Sequence, residues 1–73
     1  MNKIKKNIVE SLQYFGPMGI DEIVQKLEYR EIRCSNTALT ILLKQLVSEE
    51  TIRYDHRIKI FAKNREAAHE LVQ

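Results

Sequence analysis

The stretch Ser35-Asn36-Thr37-Ala38-Leu39-Thr40-Ile41-Leu42-Leu43-Lys44-Gln45-Leu46, continuing through Glu49-Glu50-Thr51 to Ile52-Arg53-Tyr54, holds the change of hydrophobic period that decides the fold. Leu39, Leu42, Leu43, Leu46 and Val47 recur at helical spacing and so form one apolar stripe. Ser35 stands just before them, and its hydroxyl can accept from a backbone N–H two or three residues on, which makes it a good N-cap. Cys34 before the cap and Leu39 four residues into the helix are placed to form a small hydrophobic staple. Beyond Glu50 the spacing becomes alternating. Ile52 and Tyr54 flank Arg53, and Ile58, Ile60 and Ala62 are separated by Lys59 and Phe61, which predicts two strands joined at Asp55-His56-Arg57.

Toward the N-terminus, Ile4, Ile8, Leu12 and Phe15, with Val9 beside them, lie on one stripe of a helix from about Asn2 to Phe15. Gly16-Pro17 stops it, because Gly accepts a left-handed cap and Pro cannot continue the hydrogen-bond ladder. Met18-Gly19-Ile20 reads as short and extended. Ile23, Val24 and Leu27 then give a second, shorter helix, with Gly19 and Glu22 at its cap and third positions. Glu28 to Cys34 is its end plus a turn. Toward the C-terminus, Ala67, Ala68, Leu71 and Val72 have the spacing of a terminal helix of about two turns.

The Ser-capped leucine helix, running through a short acidic turn into Ile52-Arg53-Tyr54, resembles the pattern of winged helix-turn-helix DNA-binding domains over roughly residues 4–63. The resemblance implies an α+β, mostly helical fold: a three-helix core, a two-stranded β-hairpin wing and a short C-terminal helix in a 64–73 tail, all within one domain spanning residues 1–73. It also implies a transcription regulator of the bacterial, archaeal or phage type that places helix 35–47 in the major groove and the 53–59 hairpin on the phosphate backbone. Two features depart from the pattern. Glu50 replaces the glycine that usually ends the third helix, so the turn before Ile52 is expected to be made another way. The connection from Glu28 to Cys34 is longer than a tight helix-turn-helix.

Charge agrees with this placement. The net charge of +2 is small, but its distribution is uneven. Lys3, Lys5 and Lys6 oppose only Glu10 in the first twenty residues, and Arg53, Arg57, Lys59, Lys63 and Arg65 oppose only Asp55 around the hairpin, whereas residues 21–52 and 66–73 are each net acidic. With the leucines turned inward, the outward face of the third helix carries Asn36, Thr37, Thr40, Ile41 and Lys44. Asn36 can pair with adenine N6 and N7, the threonines and the Ser35 end of the helix can bond base or phosphate, and Ile41 can pack on a thymine methyl. Lys44 is better suited to a phosphate. Arg53, His56, Arg57 and Lys59 form the expected backbone contact of the hairpin, where Lys and Arg supply salt-dependent affinity by counterion release. Lys3, Lys5 and Lys6 are further candidates, as are Arg30 and Arg33 unless Glu28 and Glu31 pair with them.

The same residues have plainer readings: caps, solvated threonines and a basic surface. A second class of function is therefore a winged-helix protein-interaction module or adaptor that does not bind DNA, with Ile41 and Tyr29 as anchors. An enzyme is not expected, because no Ser, His and Asp arrangement, carboxylate pair or phosphate-binding glycine loop stands out. Cys34, His56 and His69 are too scattered for a zinc site, and no cofactor or small-molecule ligand is implied. A single cysteine favours a reducing compartment. The longest apolar run, as in Ile41-Leu42-Leu43, is far short of the ~18 residues that span a bilayer, so the expectation is a cytoplasmic protein with no membrane partner. Seventy-three residues make a thin core, and a homodimer is expected, formed through residues 66–72, with or without the first helix, unless that tail packs on its own chain.

Overall fold

The computed structural model describes residues 2–64, a small α+β domain of three helices followed by a two-stranded antiparallel hairpin. The anticipated helix in 66–72 lies outside the described residues. Helices α1 (Lys3–Phe15), α2 (Ile20–Tyr29) and α3 (Asn36–Ser48) precede strands β1 (Ile52–Asp55) and β2 (Ile60–Lys63). One apolar cluster joins them: Ile8 and Leu12 from α1, Met18, Ile23 and Leu27 from α2 and its approach, Leu39, Leu43 and Leu46 from α3, and Ile52 from β1, with the partly buried Phe61 of β2 packed against it. None of the described helices is long and apolar enough to cross a membrane.

Helices α1 and α3 start where a side chain satisfies a backbone N–H of the first turn. Asn2 Oδ1 accepts from the N–H of Ile4, and Ser35 Oγ accepts from that of Ala38 at 3.1 Å, the cap read from the sequence. At α2 only half of a reciprocal cap forms. Glu22 accepts from the Gly19 N–H, and glycine has no side chain with which to answer.

The helix ends correct one expectation. The turn before Ile52 is made in the ordinary way, with Glu50 itself in the left-handed region at φ 62°. The Thr51 N–H reaches Leu46 O and the Glu50 N–H reaches Val47 O, the paired bonds of a Schellman motif. Helix α2 ends identically: Glu31 has φ 61°, Ile32 N–H donates to Leu27 O, and Glu31 N–H to Glu28 O. Two glutamates thus occupy positions that glycine fills without steric penalty. Glu50→Gly should raise stability by roughly 0.5–1 kcal/mol, seen as a melting temperature higher by several degrees. A lower melting temperature would show that the Glu50 side chain contributes something its backbone geometry does not reveal.

Met18 extends the hairpin. Its N–H and C=O both bond Phe61, so the segment between α1 and α2 lies along β2. Tyr54 pairs with Phe61 across the strands, their rings 4.4 Å apart. Phe61 is therefore the residue of β2 that packs toward the core, while Ile60 and Ala62 turn to the opposite face with Arg53. The second strand begins at Ile60 rather than Ile58, which sits at the hairpin tip and is 65% exposed. Phe15 and Val47, assigned to the apolar stripes, also lie outside the core, and Leu42 is only half-buried at its edge.

One buried polar atom stands out. Ser11 is fully buried in α1, and its hydroxyl has no hydrogen-bond partner among the described residues. Removing an unsatisfied hydroxyl and improving helix propensity act in the same direction. Ser11→Ala should accordingly stabilise by about 1 kcal/mol in a urea titration. A destabilised variant would mean that the hydroxyl does have a partner.

Candidate nucleic-acid interface

The core positions on α3 fix what its other side presents. With Leu39, Leu43 and Leu46 buried, Asn36, Thr37, Thr40, Ile41 and Lys44 are all exposed, and Ser35 is exposed at the cap. Asn36, Thr40 and Lys44 are successive fourth residues and stand above one another on the helix. Ile41, 51% exposed, is the most exposed large apolar side chain of the helix. Two of the polar groups are partly committed within the helix. Ser35 Oγ holds the cap, and the Thr40 hydroxyl donates to Asn36 O at 2.8 Å, which leaves it acceptor capacity only in that geometry.

The hairpin tip is the four-residue turn His56-Arg57-Ile58-Lys59, with Lys59 left-handed at φ 56°. Asp55 organises it: its Oδ1 accepts from the Arg57 N–H at 2.9 Å and lies 4.0 Å from Arg57 Nε. An ion pair this exposed constrains Arg57 little. The Tyr54 ring lies edge-on to His56 at 4.8 Å and positions the imidazole beside the strand.

Tertiary packing brings part of these two sets together. Thr40, Lys44 and Val47 of α3, Tyr54, His56, Lys59 and Phe61 of the hairpin, Leu43 and Ile20 line one groove of about 450 Å³. Its floor is apolar, Lys44, His56 and Lys59 stand on its rim, and no carboxylate lines it. Neither lysine forms an ion pair among the described residues. Arg53 is not part of this groove: it lies on the other face of the hairpin, in a cleft that contains Pro17 and Ala62. Arg57 shares that second cleft, and His56 borders both.

Other cations are used to hold the fold. Lys5 bonds Glu49 at 3.1 Å with its side chain only 14% exposed, tying the start of α1 to the end of α3. Arg30 donates to Asn7 Oδ1 at 2.6 Å and to Glu10 at 3.4 Å, so it bridges α2 to α1 instead of pairing with Glu28 or Glu31. Lys3, Lys6 and Arg33 remain exposed. Val47 and Ile20 are groove residues that the pattern of hydrophobicity assigned elsewhere; the signal for Val47 was its position three residues after Lys44 on the same outward stripe. No cluster of metal-binding side chains occurs among the described residues. No protein-family model, curated protein or solved structure matches the chain.

Proposed function

We propose that this chain is a winged helix-turn-helix DNA-binding domain of a transcription regulator, with α3 in the major groove and the hairpin as a wing on the phosphate backbone. The observation that carries the reading is the shared groove, in which Thr40 and Lys44 of the helix face the same space as His56 and Lys59 of the hairpin. A duplex lying along α3 then meets base-reading and phosphate-binding groups at once, with Asn36, Thr37 and Ile41 toward the bases and Lys44 and Lys59 toward the backbone. Lys44 and Lys59, which form no ion pair among the described residues, are available for phosphate.

A random-sequence duplex titrated at low salt, and again at several salt concentrations, tests the proposal. Binding whose logarithm falls linearly with the logarithm of salt, by about 0.9 per neutralised phosphate, supports it. Undetectable binding at low ionic strength overturns it. The second reading, a protein-interaction module, draws on the half-exposed Ile41, which fits an apolar protein pocket as well as a thymine methyl. In that case the salt series shows no duplex binding at any concentration.

A further inference from the structure

Three of the five aromatic residues of this chain stand on one surface, and none of them serves the core. Tyr14 is 80%, Phe15 51% and Tyr29 89% exposed, and together with Gln25, Lys26 and Arg30 they line a cleft of about 640 Å³ where the C-terminal ends of α1 and α2 meet. The arrangement is ordered. The Tyr14 and Phe15 rings pack edge to face at 4.9 Å, Lys26 Nζ lies 4.3 Å above the Phe15 ring, and Arg30 is held by Asn7 and Glu10. We infer that this surface is the dimer interface of the protein, occupied by the same surface of a second copy.

Area and chemistry single out that occupant. At about 200 Å² per aromatic side chain, the exposed fractions leave roughly 440 Å² of ring surface in water, over half of the ~800 Å² that each partner buries in a stable complex. Gln13, Gln25 and the edges of Lys26 and Arg30 border the rings and extend this surface. A two-fold interface must also complement itself. Here the Gln13 and Gln25 amides and the Tyr hydroxyls each donate and accept, Glu10 stands beside Arg30, and Lys26 lies over the Phe15 ring, so the amides and hydroxyls can find counterparts on the same face while the charged groups are already met within each chain. Tyr and Arg are the residue types that most often anchor such contacts. This surface sits at the opposite end of α1 from Lys5 and Glu49.

Sedimentation velocity on the full chain, from roughly 1 to 100 µM, tests the inference without reference to DNA. A dimer should accumulate across this range, and Tyr14→Ala with Tyr29→Ala should raise the dissociation constant about thirtyfold or more. Both side chains lie in water in the single chain, so thermal melts at the lowest concentration should match the parent. Tyr29→Arg alone, which adds a third positive charge to a face already carrying Lys26 and Arg30, should also give monomers. A chain that is monomeric throughout overturns the inference, and so does a dimer that survives these substitutions, because another surface then holds it. If dimers form as expected but no duplex is bound, the interface stands and the DNA-binding proposal falls.

Discussion

Leu46→Ala should remove about 3–4 kcal/mol of stability, enough to leave a large fraction of the chain unfolded at ordinary temperatures. The magnitude follows from position. Leu46 is fully buried in α3 at the junction with β1, and its own backbone carbonyl accepts the Thr51 N–H that turns the chain toward the hairpin. Alanine there loses the transfer free energy of the removed atoms and leaves a void that the short helices close only partly. At roughly 0.05–0.15 kcal/mol per residue, 73 residues supply only about 4–11 kcal/mol in total. Ile41→Ala is the matching control on the same helix. With half of its side chain already in water, it should change stability by less than about 1 kcal/mol. Urea titrations of both variants give the comparison. Similar losses from the two would mean that α3 is rotated from the orientation on which the outward face depends.

That orientation was the part of the fold most legible from residues alone. Ser35 followed by a leucine stripe is a local signal, since cap and helix face are set within a few residues, and the bond from Ala38 N–H to Ser35 Oγ realises it. Phe15, Val47 and Ile58 were harder, because periodicity gives the direction of a stripe but not its width; these residues lie at the margins of the core and keep a third or more of their surface in water. The Glu50 turn shows a different limit. Left-handed geometry has a propensity for glycine, and two glutamates adopt it here because the Schellman bonds and the Ile32 and Ile52 contacts with the core hold them there. Arg30 had nearby acidic candidates in sequence, yet its partners Asn7 and Glu10 come from another helix, a pairing that only the packing of α1 on α2 creates.

The candidate site divides along the same line. Asn36, Thr37, Thr40, Ile41 and Lys44 follow from the helix period, being what remains once the core side is known. That Thr40 and Lys44 of this set meet the hairpin, while Asn36, Thr37 and Ile41 do not line the groove, depends on how β1 and β2 dock, which no short-range pattern encodes. The side of the hairpin on which Arg53 lies was nevertheless implicit in strand alternation: with Ile52 and Tyr54 facing one way, Arg53 faces the other. The basic cluster is therefore two surfaces, one continuous with α3 and one not.

The division has a measurable consequence. Lys44→Glu combined with Lys59→Glu should weaken duplex binding by on the order of a hundredfold at about 0.1 M salt, with no comparable loss of stability. Two phosphate contacts contribute a salt slope of about 1.8, which corresponds to roughly sixtyfold between 0.1 and 1 M, and reversing the charges adds repulsion to that loss. Stability is spared because both side chains are exposed and neither forms an ion pair among the described residues. Lys5→Ala supplies the contrast. Its ammonium is bound to Glu49 and mostly covered, so the substitution should lower the melting temperature modestly while leaving the salt slope unchanged. The measurement is a fluorescence-anisotropy titration of a labelled random duplex at several salt concentrations, with urea titrations alongside. An unchanged slope in the double variant would remove the helix–hairpin groove from the DNA contact, and a slope lowered equally by Lys5→Ala would mean that affinity reflects net charge alone. Only a slope that responds to Lys44 and Lys59 and ignores Lys5 assigns the binding to the surface where α3 meets the hairpin.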